Sequence, residues 1–112
     1  MSVKFSVVTV LVLALLASAC SQDPPRVRVR NERPTEVDVE LKPPSGATIH
    51  IDDVAPGTTT AYATLNAGIY EVDANITGVS ASVETFFSAD TDRQYTVVVV
   101  NSTPPTVRID SP

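Results

Sequence analysis

Two patterns of apolar residues divide this chain of 112 residues. From Phe5 to Leu16 the sequence is almost wholly apolar, broken only by Ser6 and Thr9. From Arg26 onward, apolar and polar residues alternate in short runs punctuated by Pro or Gly at intervals of roughly eight to twelve residues. Alternation with period two sends successive side chains to opposite faces of a strand, and several such runs separated by turn residues predict an all-β sandwich. No run after Cys20 has helical spacing.

The first run, Arg26-Val27-Arg28-Val29-Arg30, places valines on one face and arginines on the other. A matching run follows in Glu36-Val37-Asp38-Val39-Glu40-Leu41. With Asn31 to Thr35 as a hairpin loop, antiparallel pairing sets Arg30 against Glu36, Arg28 against Asp38 and Arg26 against Glu40. The same register puts Val29 opposite Val37 and Val27 opposite Val39 on the inward face, so charge and apolar patterns agree on one alignment. The facing carboxylates would then neutralise the arginine stripe. Docking of that stripe on anionic lipid is the competing reading.

Further strands are expected at Thr48 to Ile51, Thr59 to Leu65, Ile69 to Ile76, Ser80 to Phe87, Tyr95 to Val100 and Thr106 to Asp110. Turns are expected at Pro43 to Gly46, Asp52 to Gly57, Asn66 to Gly68, around Gly78, and at Ala89 to Asp92. Tyr70, Val72, Ala74 and Ile76 mark the core face of their strand, and Tyr95 to Val100 reads as a strand covered on both faces. The adjacent Phe86 and Phe87 must point to opposite faces unless a bulge intervenes; one is expected in the core and the other at a sheet rim.

Several of these segments carry a resemblance. Val27-Arg28-Val29-Arg30-Asn31, Pro34, Val37-Asp38-Val39, Pro56-Gly57, Thr60-Ala61-Tyr62, Leu65 to Val72 and Tyr95 to Val99 resemble the bacterial domain-of-unknown-function family numbered 4397. The resemblance implies an immunoglobulin-like or transthyretin-like antiparallel β-sandwich of about seven or eight strands on an envelope or secreted protein. It brings no catalytic residue. Asn31-Glu32-Arg33-Pro34 and Pro43-Pro44 depart from the family's turn patterns.

The N-terminal run is shorter than the ~20 apolar residues that span a bilayer. It follows Lys4 and closes on Leu16-Ala17-Ser18-Ala19-Cys20, which resembles a bacterial lipoprotein signal. Ala17-x-Ala19 also suits an ordinary secretory peptidase cutting at the same bond. Cys20 separates the two readings, because a lone thiol in an oxidising compartment lacks a disulfide partner and acylation gives it a role. The expected organisation is a signal peptide over 1–19, a lipidated Cys20 with a short linker over 20–25, and a β-sandwich over 26–112. Ser21 after the cysteine resembles outer-membrane sorting in enterobacterial lipoproteins.

Loss of residues 1–19 would leave seven of the eight basic residues and all thirteen acidic ones, a formal charge of −6. Such a balance argues against nucleic acid as a partner. His50 is the sole histidine and is expected as an exposed strand residue; with one histidine and one cysteine the chain cannot build a nitrogen and sulfur zinc site. Asp52-Asp53 and Asp90-Thr91-Asp92 offer hard oxygens for calcium, but without the spacing of a calcium loop. No phosphate-binding glycine loop and no hydrolytic triad can be assembled, so neither a cofactor nor an enzyme is expected. Asn75-Ile76-Thr77 and Asn101-Ser102-Thr103 fit the N-glycosylation pattern by chance.

The sequence therefore predicts a lipid-anchored, non-enzymatic cell-envelope protein that binds the membrane through its anchor and an envelope protein or glycan through a sandwich surface. The alternative is a secreted adhesive or structural module that assembles by edge-strand pairing.

Overall fold

The computed structural model describes residues 22–112. They form eight strands: β1 (Arg26–Asn31), β2 (Val37–Lys42), β3 (Ile49–Val54), β4 (Ala63–Thr64), β5 (Gly68–Ile76), β6 (Val83–Ala89), β7 (Gln94–Val100) and β8 (Thr106–Asp110). Two four-stranded sheets pack face to face, one in the order β4-β1-β7-β8 and the other β3-β2-β5-β6. The all-β sandwich is thus the fold that forms. An immunoglobulin constant domain keeps its first two strands in one sheet. Here β1 and β2 part into different sheets, which departs from that order.

That parting overturns the expected hairpin. β1 lies between β4 and β7 and runs parallel to β7, with Val27 beside Tyr95, Val29 beside Val97 and Asn31 beside Val99. β2 instead pairs with β3 and β5. None of the charge pairs Arg30 with Glu36, Arg28 with Asp38 or Arg26 with Glu40 forms across a ladder. The physical reason is that period-two alternation fixes which face of a strand is buried but says little about its neighbour. Cross-strand pairs each contribute only about 0.2–1 kcal/mol, and β7 offers β1 a valine-rich partner whose inward side chains join the core.

Val27, Val29, Val37, Val39, Leu41, Tyr70, Val72, Ala74, Ile76, Phe87, Val97 and Val99 are buried where the alternation marks a core face, and Val54 and Ala89, expected in turns, join the core as the ends of β3 and β6. Tyr70 and Phe87 stack at 5.8 Å, and Phe87 meets Tyr95 at 5.1 Å, so a file of aromatic rings joins the two sheets. Both phenols find partners near the loops: Tyr70 donates to the Asn66 carbonyl at 2.8 Å, and Tyr95 accepts from the Asp90 amide at 2.9 Å.

Asn31 stitches the crossing from one sheet to the other. Its side chain is fully buried, and its Nδ2 donates to the Thr35 carbonyl at 2.8 Å and the Val54 carbonyl at 2.9 Å. Its Oδ1 accepts from the Arg33 amide at 2.9 Å. Arg33 in turn donates to the carbonyls of Val100 and Ser102 at the end of β7.

Three local expectations need correction. β3 continues through Asp52 and Asp53 as a bulge instead of turning there; the extra residue shifts the alternation so that Val54 points inward. Asp53 takes a φ of 55°, and its amide donates to Asp38 Oδ1 at 2.7 Å. Thr59 to Leu65 is not a continuous strand: Thr60 donates its amide to the Val29 carbonyl, but its hydroxyl replaces a backbone acceptor for the Val29 amide at 3.0 Å. β6 begins at Val83, three residues later than the expected Ser80.

Candidate functional site

The two outer faces of the sandwich carry opposite charge. On the first sheet, register aligns Arg26 with Gln94, Arg28 with Thr96 and Arg30 with Val98, and continues to Asp110 and Arg108 on β8. Separation of β1 from β2 removes the carboxylates that a hairpin would have set against this stripe. Tyr62, where the segment beside β1 loses its ladder, lies under two guanidinium groups: Arg28 at 4.8 Å and Arg26 at 5.7 Å from the ring centre. Arg28 also donates to the Thr96 hydroxyl at 3.0 Å.

Arg30 pairs with Glu32 at 3.3 Å and Arg108 with Asp110 at 2.8 Å. Arg108 holds the Asp110 carboxyl below its ordinary range through that hydrogen bond. Four arginines thus meet two carboxylates, and Arg26 and Arg28 are the two that stack on an aromatic ring. Val98, flanked in register by Arg30 and Arg108, is buried although it lies on this outward face, so β7 is covered on both sides as its composition implied.

The chain enters the body beside this face. The Asp23 amide donates to Asp92 Oδ1 at 2.8 Å, the Asp92 amide returns a bond to the Asp23 carbonyl at 2.9 Å, and the Leu65 amide donates to the Pro25 carbonyl. Asp23, Pro24 and Pro25, expected as linker, are therefore fastened to the fold. Asp92, whose carboxylate offers a hard oxygen in the Asp90-Thr91-Asp92 turn, serves as this clasp.

On the opposite sheet, register lines up His50, Glu40, Asp73 and Glu84 across all four strands, with Lys42, Glu71 and Phe86 in the adjoining row. His50 is exposed, as expected. Asp73 is only 5% exposed although it points away from the core, because its neighbours enclose it. Lys42 forms a salt bridge with Asp73 Oδ2 and lies 3.7 Å from both Glu40 and Glu71. Asp73 Oδ1 is buried with no hydrogen-bond partner. Asp73, with which a protonated Glu71 would share a hydrogen bond, raises the Glu71 carboxyl above its ordinary value, reinforced by burial and by the Asp73 and Glu84 charges.

Nothing local in the sequence marks the whole of this cluster, since its residues come from three strands brought together by long-range pairing. Its one sequence signal is Glu71-Val72-Asp73, two acids on the polar face of one strand. Phe87 is core and Phe86 is 63% exposed beside Glu71, which settles the aromatic pair as expected. A cleft at the chain-entry end, lined by Pro43, Pro44, Ile49, Leu65 and Tyr70 among others, holds no carboxylate, histidine or cationic side chain. Cys20 and the expected signal peptide lie outside the described residues. Among the described residues no helix is long and apolar enough to cross a membrane. No protein-family model matches the chain, and no curated protein matches it.

Proposed function

We propose that this chain is a lipid-anchored cell-envelope protein without catalytic activity, held on the membrane by acylated Cys20, with its β-sandwich acting as a binding or structural module. The supporting observation is the short distance between that cysteine and the folded body. Asp23 is already clasped to Asp92, so only Ser21 and Gln22 separate Cys20 from the fold. Three residue steps reach about 10 Å. A body on so short a tether lies against the headgroups, and the arginine face that begins at Arg26 suits an anionic surface. Each arginine near such a surface contributes about 1 kcal/mol, a small addition to the anchor, which sets orientation more than affinity. The acidic sheet then faces away from the membrane toward an envelope protein or glycan.

The tie to the family its strand motifs resemble belongs to the same proposal, and so does outer-membrane placement. Metabolic labelling with palmitate tests the anchor: wild type takes up label and Cys20→Ser does not. Absence of label from wild type overturns it. For the orientation, the Cys20→Ser protein is sedimented with anionic and with zwitterionic vesicles. Arg28→Gln is expected to weaken partitioning onto anionic vesicles about fivefold; equal binding to the two vesicle types refutes the docking face.

A further inference from the structure

Three carboxylates on the second sheet converge from two strands. Glu71 and Asp73 sit two residues apart on β5, and Glu84 on β6 is the register partner of Asp73. One oxygen from each lies within 4.8 Å of the others. Calcium binds carboxylate oxygens at about 2.3–2.6 Å, so two ligand oxygens on opposite sides of the ion stand about 5 Å apart. The cluster has the span that such an ion would bridge.

A second feature is independent of the count of acids. The Asp73 side chain is only 7% exposed, and its Oδ1 is buried without a hydrogen-bond partner. A buried carboxylate oxygen left unmatched is costly, and native structures fill such positions with a proton donor, water or a cation. Lys42 reaches the other oxygen, Oδ2. It is one positive charge against four carboxylates, those of Glu40, Glu71, Asp73 and Glu84, and it leaves Oδ1 unserved.

From these observations we propose that Glu71, Asp73 and Glu84 form a binding site for a hard divalent cation of the calcium class on the outer face of the second sheet. The ligand set is all oxygen, which suits calcium over softer metals. Water completes the coordination on the solvent side, since Glu84 is exposed and Glu71 half-exposed. Magnesium demands tighter octahedral geometry and dehydrates reluctantly, so it is the weaker occupant. The site does not depend on the anchor at Cys20, and its test is separate from the tests of membrane attachment.

The experiment is thermal melting of the purified protein titrated with calcium chloride, against sodium chloride at matched ionic strength, with calorimetric titration for stoichiometry. The expected result is a saturable rise in melting temperature specific to calcium, one ion per chain, with a dissociation constant of about 0.1–1 mM, the range of extracellular calcium modules. Asp73→Asn disturbs the Lys42 pair and risks the fold, so Glu84→Gln, at an exposed position, is the decisive variant. It should weaken calcium binding at least about tenfold, because ligand charge count sets affinity, while Glu36→Gln, the same charge change outside the cluster, should leave it unaltered. No saturable rise in wild type, an equal rise with sodium chloride, or unchanged calcium affinity in Glu84→Gln overturns the site.

Discussion

Replacement of Asn31 by alanine would test what holds the two sheets in their observed arrangement. The side chain makes three hydrogen bonds, at 2.8 Å to the Thr35 carbonyl, 2.9 Å to the Val54 carbonyl and 2.9 Å from the Arg33 amide. Each is worth about 1 kcal/mol net, and a buried group left without its partner costs about 1–3 kcal/mol. Val54 is buried, and the bond to its carbonyl is enclosed, so that acceptor has no access to water after truncation. Two bonds at about 1 kcal/mol each and one stranded acceptor at about 1–3 kcal/mol total about 3–5 kcal/mol. In a domain of this size 1 kcal/mol corresponds to about 4–8 °C in melting temperature, so a fall of at least about 12 °C is expected.

Urea unfolding followed by far-ultraviolet circular dichroism gives the free energy. Asn75→Ala supplies the control, since Asn75 is exposed on β5 and should change stability by no more than about 0.5 kcal/mol. Asn31→Asp separates the donor from the acceptor contribution: it keeps an acceptor for the Arg33 amide but turns carboxylate oxygen toward two carbonyls, and should be no more stable than the alanine variant. A loss in Asn31→Ala within about 1 kcal/mol of the Asn75→Ala control would refute the view that this amide fastens the crossing.

Two further outcomes follow from the same geometry. Glu71 has its carboxyl raised by Asp73, so the folded state holds that proton more tightly than the unfolded chain; this contribution is present at acid pH and is lost as pH rises through the raised value. Glu71→Gln should therefore raise the melting temperature at neutral pH, more than at pH 4, in calcium-free buffer; an equal effect at both would contradict the assignment. Phe87→Ala should cost about 3–5 kcal/mol through the aromatic file it shares with Tyr70 and Tyr95, whereas Phe86→Ser should leave urea stability nearly unchanged. Equal losses would mean the two rings had been assigned to the wrong faces.

Much of the fold was legible because burial in a strand has period two. Val27 and Val29, Val37 and Val39, and Tyr70, Val72, Ala74 and Ile76 are buried where alternation placed them, and turn residues marked most boundaries. The bulge at Asp52 and Asp53 was hidden because two polar residues after Ile51 read equally well as a turn. The interruption near Tyr62 was hidden because a threonine hydroxyl took the place of a backbone acceptor, a substitution that propensity does not register. Alternation marks Arg26, Arg28 and Arg30 as one outward stripe but not its surroundings, since the carboxylates that a hairpin register would set against it lie on the other sheet.

The sequence by itself determined that the chain after Cys20 forms short strands, which side chains of those strands enter most of the core, and that an apolar N-terminal run ends on a lone cysteine. Those properties depend on residue type and local spacing. Tertiary structure alone decided which strands are neighbours, because β1 beside β7 and β2 beside β5 are pairings between segments far apart along the chain, chosen by the packing of whole faces. From that choice came the separation of a basic face from an acidic one, the Arg26 and Arg28 stack on Tyr62, and the meeting of Glu71, Asp73 and Glu84. Charges placed by long-range pairing have no signature in local sequence, which is why both surfaces became visible only once the sheets were assembled.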